Sequence, residues 1–440
     1  MRHSRLDELT GLLEKGLDRA RAKGATGAKI SFRQSESISV GFENARLKTT
    51  GSSQALDYTI DVISGGRRGT TRGNDLADLN DLVDRAAGLA KVGGIAHFAE
   101  FPAPRPLTRV KTHSPRTLEL TREKMIASCT QITEGLKAYD PGLFIEAGAN
   151  RDESEGLIAT TGGVRHAWRS TSWYLNGSVQ RTRGTDILFA GEGRYWRDLD
   201  AFYDPDFLIA KTITDLKRSE TMAEPHPSGS GIVILSPDMT STFGWPLLLG
   251  INGRNVAKGE SPLKGRIGEK ILDSSLTIID DPHRDFDGGA AEMDSDGVPT
   301  RKFEIFSEGV LKGFLYDLDS AGLAGAEPTG HNDCSPWSLT LKPGKRTVKE
   351  LFASVSDGLY LKSLIGFGQS NMTNGDVSGN VMLGFRIRNG ELVGRVKDTM
   401  IAGNIYELLK SGVEVSSDVD PVSRLPYMKL EGLCISTAPK

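Results

Sequence analysis

The sequence predicts an α+β protein of two domains: an N-terminal mixed α/β domain with an antiparallel sheet, and a C-terminal β-barrel-like domain. Three observations predict it. The first half alternates amphipathic helices with stretches of period-two hydrophobicity. The second half is built of short apolar runs paired around tight turns. Between them lies a polar stretch, residues 224–231, holding Pro225, Pro227 and several small residues. The boundary therefore falls there, with domains at 1–225 and 226–440. A chain of 440 residues with 51 glycines suits two large domains rich in turns.

The elements follow in order. Ser4 is placed to cap a helix whose apolar face is Leu6, Leu9, Leu12, Leu13 and Leu17, with Gly24 and Gly27 ending it. The period then becomes two: Ile38, Val40 and Phe42, then Leu56, Tyr58, Ile60 and Val62, with Gly65-Gly66 as a turn. Leu79, Leu82, Val83, Ala86 and Leu89 share a face of a second helix. Four prolines make 101–116 an extended connector. A third helix is expected over 118–136. Strands are expected over 143–195, with Gly162-Gly163 and Asn176-Gly177 as turn signals. Asp204-Pro205 starts a fourth helix, Asp as cap and Pro at its first position. In the second half a strand over 232–235 is stopped by Pro237. Hairpins flank Glu308-Gly309 and Asn389-Gly390, and one helix near 348–359 interrupts the strands.

Composition excludes several functions. The 54 basic and 57 acidic residues leave a formal charge of −3 without a basic stripe, so no direct nucleic-acid partner is expected. No apolar run is long enough for a membrane span, and the polar start lacks a signal-peptide core, which points to the cytoplasm. Cys129, Cys334 and Cys434 lie far apart, which argues against a zinc ribbon or a disulfide framework. No His is followed by Glu, and no two of the seven histidines lie three to five residues apart, so a helical zinc site is absent. Walker A and GxSxG motifs are absent too, and Gly366-Phe367-Gly368 lacks the rest of a dinucleotide loop.

Two polar clusters remain as candidates. In Asp280-Asp281-Pro282-His283, Asp281 and His283 could serve a divalent cation or acid–base chemistry; a solvated turn after a strand uses the same residues. In Thr329-Gly330-His331-Asn332-Asp333-Cys334, His331 and Cys334 could share a metal or form a thiolate pair; a loop whose side chains bond its own backbone is the commoner role. Asp294-Ser295-Asp296-Gly297 reads as a tight turn, since a calcium loop would need a distal Glu. Trp168, Trp173 and Trp196, with Tyr174 and Tyr195, either line a peptide groove or pack a sheet. Cys434 reads as a core residue of the last strand.

Several of these segments together resemble a known family. Asp296-Gly297-Val298-Pro299-Thr300 leads to Gly309-Val310-Leu311-Lys312-Gly313, then Asp319-Ser320-Ala321, Gly325 and Thr329-Gly330-His331. Phe385-Arg386-Ile387-Arg388-Asn389-Gly390-Glu391 and Ile401-Ala402-Gly403-Asn404 close the series, and Glu43-Asn44-Ala45-Arg46 fits the N-terminal pattern. This order is similar to the TldD/PmbA family, once described as modulators of DNA gyrase. The resemblance implies a dimer in which TldD is a zinc metalloprotease paired with TldE, cleaving unfolded or small peptides, including leader segments of modified peptide antibiotics. It also implies that TldD carries an HExxxH helix and a cysteine ligand near its C-terminus. Here the helix segment, within 243–258, reads Leu249-Gly250-Ile251-Asn252-Gly253-Arg254-Asn255, and 414–422 offers Ser416, Ser417 and Asp418 without a cysteine. The resemblance is thus to the TldE side. It implies no catalytic residue, no metal ligand and no cofactor on this chain, with zinc held by a TldD-like partner. The rival expectations are a free-standing binding or regulatory homodimer, and a peptidase whose site is built from Asp281, His283, His331 or Cys334.

Overall fold

The computed structural model describes residues 3–199 and 202–437, with side chains from Leu6 onward. In the first half, α1 (His3–Ala22), α2 (Leu79–Ala90), α3 (Arg122–Tyr139) and α4 (Pro205–Arg218) surround β1 (Gly27–Glu43), β2 (Arg46–Ser64), β3 (Arg67–Gly73), β4 (Phe144–Thr160), β5 (Arg165–Arg183) and β6 (Asp186–Trp196). The strands form one antiparallel sheet in the order β3-β2-β1-β4-β5-β6. α1 starts at His3, so the proposed cap Ser4 lies inside it, where its side chain is outside the described residues. Leu9, Leu13 and Leu17 of α1 pack with Val83 and Ala86 of α2 against Ile30, Tyr58 and Ile60. α3 begins later than expected because Thr121 caps it, accepting the Lys124 N–H. With α4, whose cap is Asp204, it covers the sheet beside Leu175, Val179 and Leu188.

One of the turn signals lies inside a strand. Asn176-Gly177 lies in the middle of β5, paired with Gly148 and Ala147. A Cβ on Gly177 would come 2.6 Å from the Ile132 side chain of α3, so this glycine serves close helix–sheet packing rather than a reversal. The true reversals are at Gly163 and Gly184, both with positive φ.

The second half opens with β7 (Gly229–Leu235), followed by α5 (Pro237–Phe243), α6 (Trp245–Ile251) and α7 (Gly253–Lys258). Pro237 ends the strand as expected and also occupies the first turn of α5, with Ser236 as cap. Then come β8 (Ile278–Asp280), β9 (Phe303–Ser307), β10 (Val310–Leu311), α8 (Leu318–Ala324), β11 (Leu339–Leu341), α9 (Val348–Ala353), β12 (Asp357–Ile365), β13 (Asp376–Arg388), β14 (Glu391–Arg395), β15 (Thr399–Asn404), α10 (Ile405–Leu408), β16 (Glu414–Val419) and β17 (Pro426–Thr437). Strands β12, β7, β17, β15 and β13 close into a barrel through the β12–β13 pairing. A small sheet, β10-β9-β8-β11, lies beside it. The α+β class and the barrel-like second half are as the sequence predicts.

Other details differ. Among the described residues six short α-helices, α5 to α10, stand where the sequence pattern predicts one and the resemblance implies a second within 243–258. The helix placed over 348–359 ends at Ala353, after a Thr347–Glu350 capping box, and the period-two residues Leu359 and Leu361 belong to β12. Cys434 is exposed, because Leu433 and Ile435 take the inward positions of β17. The hairpin at Asn389-Gly390 is present, with φ of 47° and 83°.

The barrel strands are covered on both faces. Val233 and Leu235, with Leu359 and Leu361, join Ile401, Leu430 and the α5–α6 helices in one core. Ile234 and Tyr360, with Phe385 and Ile387, point the other way and pack with Trp173, Leu208 and Leu216 of the first half. A run of consecutive apolar residues is what a two-sided strand requires. No helix among the described residues is long and apolar enough to cross a membrane.

Candidate functional site

The segment α6–α7 is two short helices joined at Asn252. The Asn252 side chain caps α7, accepting the N–H groups of Arg254 and Asn255, and donates to the carbonyls of Asp333 (3.1 Å) and Cys334 (3.3 Å). Both of those residues have positive φ, so the capping amide holds a strained turn. Arg254 pairs with Asp317 at 2.8 Å. A zinc site needs three or four His, Cys or carboxylate ligands converging, and this segment supplies none. Nor is there room for one at its two glycines. A Cβ on Gly250 would run into the Tyr406 hydroxyl and Leu263, and one on Gly253 into Tyr316 and the Leu315 carbonyl. In the stretch where the resemblance places a cysteine, the buried Ser416 donates to the Asp418 carbonyl and accepts the Tyr427 N–H at 3.0 Å. These residues do not fit zinc. Among the described residues, no group of three or more His, Cys, Asp or Glu is placed to hold a metal ion.

The two candidate pairs are embedded in separate networks. His331 is fully buried. Its Nε2 lies 2.8 Å from Oδ2 of Asp280, also fully buried, and its Nδ1 lies 2.8 Å from the Thr329 hydroxyl. Asp280 further accepts the Ser338 N–H at 2.6 Å, and Thr329 accepts the Tyr316 N–H at 2.7 Å. The imidazole thus links Asp280 of β8, which also holds Ser338 just before β11, to Thr329 and through it to Tyr316. Cys334 makes its contacts elsewhere: its sulfur is 3.0 Å from the Ser320 hydroxyl and accepts the Asp317 N–H, and burial pushes the thiol up. Such a thiol is a poor nucleophile at neutral pH. Asp281 pairs with Lys302 at 2.9 Å and accepts the His283 N–H at 3.2 Å. Burial works against its charge, but Lys302 and that N–H prevail and its pKa is lowered. His283 meets the Thr300 hydroxyl at 3.1 Å.

The aromatic cluster divides. Trp173 is buried, its Nε1 donating to the Asp198 carbonyl at 2.6 Å, and Trp196 is buried as well. Tyr174 and Tyr195 are exposed, paired across β5 and β6. β6 is the edge of the sheet, and its outward backbone groups find no strand partner among the described residues. A groove of about 360 Å³ crosses the sheet face at β4–β6, with Phe144, Ser178, Phe189 and Glu192 on one side and Asp238 and Lys362 on the other. Burial raises the Glu192 pKa. Free edges of this kind are not visible in a sequence, because strand order is a long-range property.

The chain matches the family models described as PmbA/TldA metallopeptidase C-terminal domain over residues 228–437 and PmbA/TldA metallopeptidase domain 1 over residues 28–90. This chain belongs to the TldD/PmbA family. It is 24% identical over 405 residues to the uncharacterized protein MJ0231 of Methanocaldococcus jannaschii, covering 90% of this chain and 93% of that one. It is 25% identical to a metalloprotease TldD homolog of Haemophilus influenzae, covering 92% and 87%. The crystal structure of TldE from Thermococcus kodakarensis superposes with a TM-score of 0.86 at 21% identity, over 97% of this chain and 100% of that one. At that identity the likeness speaks for the fold.

Proposed function

We propose that this chain is a TldE/PmbA-like, non-catalytic partner subunit of a TldD-type zinc metalloprotease, the pair cleaving unfolded or small peptides in the cytoplasm. The observation that carries this reading is the α6–α7 segment, which bears no metal ligand and whose two glycine positions are filled by Tyr406 and Tyr316. Amide hydrolysis at neutral pH needs an activated nucleophile. In a zinc peptidase the metal supplies it by acidifying a bound water, and the partner subunit would hold that metal. This chain would contribute shape, with its N-terminal unit over 1–225 and its C-terminal unit over 226–440. An extended peptide can add to the free edge of β6, bonding through its backbone while its side chains rest on the exposed Phe189 and Tyr195. That would position the peptide against the partner's metal.

The test is to purify the chain alone, a TldD-like relative alone, and the two together, and to follow cleavage of an unstructured peptide. The mixture should cleave and this chain alone should not; elemental analysis of the chain alone should find no stoichiometric zinc. Comparable cleavage by this chain alone refutes the reading, above all if His331→Ala or His283→Ala abolishes it.

A further inference from the structure

A second recess, of about 570 Å³, opens between the face of the large sheet and the turn at 290–295. Its floor is set by strand register. Arg33, Gly156 and Trp168 stand in one row across β1, β4 and β5, with Ile158 and His166 in the next. The Trp168 indole lies over Gly156, where a Cβ would fall 2.6 Å from the ring. The roof is held by the turn itself: Asp294 Oδ1 accepts the N–H groups of Asp296 (2.8 Å) and Val298 (2.9 Å), and Ser295 N–H donates to Asn332 at 2.7 Å. Trp337 closes the roof, its Nε1 fixed on the Gly330 carbonyl at 2.7 Å.

Two polar side chains lining this recess are more than nine-tenths buried and incompletely bonded. His166, 9% exposed, has no side-chain partner for its ring nitrogens among the described residues, and these nitrogens remain open to the recess. Asp294, 1% exposed, leaves Oδ2 without a partner among them. Buried polar atoms are nearly always satisfied, and Asp294 Oδ2 is the exception at this recess that points to a ligand. Arg33, Arg109, Arg169 and Arg197 also line the recess, against Asp57 and Glu292. Arg109 is spent on Glu292 and Arg169 on Glu153, but among the described residues Arg33 reaches only the Ser154 hydroxyl, at 3.2 Å.

We propose that this recess binds a carboxylate, presented as the free C-terminus of a short peptide whose last side chain lies between Trp168 and Trp337. The proposal rests on the peptide-handling reading above and deepens it. The chemistry is one of converging donors. Burial, reinforced by Asp296, pushes the Asp294 carboxyl up to about 7, so near neutrality it can still offer an O–H. Burial lowers the His166 pKa and keeps the ring neutral, with one N–H to give. The guanidinium of Arg33 adds charge. The charged groups facing these residues are Asp296 and Lys29 at the turn, and Glu292 and Arg109 beside the imidazole. Above pH 7 Asp294 ionises and repels the ligand, so affinity falls.

Calorimetry and tryptophan fluorescence on the full chain test this with three probes: an unstructured hexapeptide with a free C-terminus, the same peptide C-terminally amidated, and sodium acetate. The free acid should bind at least about tenfold more tightly than the amide, and acetate should compete weakly. Affinity should fall between pH 7 and 8. His166→Ala and Arg33→Gln should each weaken binding about tenfold with unchanged thermal midpoints. Asp294→Asn, which keeps the Oδ1 acceptor and supplies an N–H for the O–H, should bind well and lose the pH dependence. Equal binding of acid and amide, or wild-type binding by both His166→Ala and Arg33→Gln, overturns the proposal. Acetate binding as tightly as the peptide would overturn the peptide assignment in favour of a small acid. Partner-dependent cleavage measured in parallel separates the two readings: persistent cleavage without carboxylate binding sinks this site alone.

Discussion

Replacing His331 with Ala should destabilise the protein rather than disable a chemical step. The imidazole and the Asp280 carboxyl it meets at 2.8 Å are both fully buried, so neither has water as a substitute partner. Breaking a buried pair by removing one member costs about 3–5 kcal/mol. At roughly 2–4 °C per kcal/mol, the thermal midpoint should fall by about 10 °C. The assay is a thermal and urea melt of wild type, His331→Ala, Asp280→Asn and the double variant. Because the cost is a stranded partner, the double variant should be more stable than the sum of the single losses predicts, by about 1–3 kcal/mol. A His331→Ala midpoint within about 2 °C of wild type, or strict additivity in the cycle, would refute the reasoning and revive a catalytic role for this histidine.

Three further outcomes are expected. Gly177→Val, favourable by strand propensity, should destabilise by about 1–3 kcal/mol in a urea melt, because the new side chain meets Ile132 of α3; a stabilised variant would refute the close approach of Ile132 to this strand. Of the three thiols, only the exposed Cys434 should react quickly with an aromatic disulfide reagent, since Cys334 is buried and burial pushes buried Cys129 up to about 12; fast release of two or three equivalents counts against the buried assignments. The folded state holds the Asp294 proton up to about pH 7, whereas the unfolded chain releases it near pH 4. Stability from this group is therefore full below pH 4 and is lost as pH rises to about 7, by at most about 4 kcal/mol. Asp294→Asn should flatten that decline, and melts that fall in parallel for both proteins between pH 5 and 8 would exclude it.

What the sequence made legible was what its local chemistry decides. Asp204-Pro205 starts a helix because a carboxylate cap and a ring-fixed φ act within one turn. Asn389-Gly390 reverses the chain because both residues tolerate positive φ. Asn176-Gly177 carries the same local signal and fails, because the decision there is tertiary: α3 comes too close for a side chain. The candidate residues follow the same division. Asp281 and His283 are local neighbours and stay so, joined by one backbone bond. His331 and Cys334 are also neighbours in sequence, yet each bonds elsewhere, to Asp280 and to Ser320. His166 gave no sequence signal, since its distinction is the lack of a partner, and that is decided by three strands and a distant turn.

On the partner-subunit reading proposed above, the division of β7 is what this chain would offer a peptidase. Val233 and Leu235 belong to the barrel core, and Ile234 between them belongs to the core shared with the first half. Tyr360 on the neighbouring β12 does the same, stacking near Phe385 and packed edge-on to Phe352. One strand pair thus anchors two cores, and the halves cannot separate without exposing Trp173, Leu208 and Leu216. The groove across β4–β6 has one wall from each half, Phe189 and Glu192 facing Asp238 and Lys362, so the shared core fixes its width. On that reading, a peptide reaching β6 would meet a preformed groove and lose its own freedom without also ordering the protein. In that economy of ordering, the rigid apolar joint does for binding what a metal ligand does for chemistry.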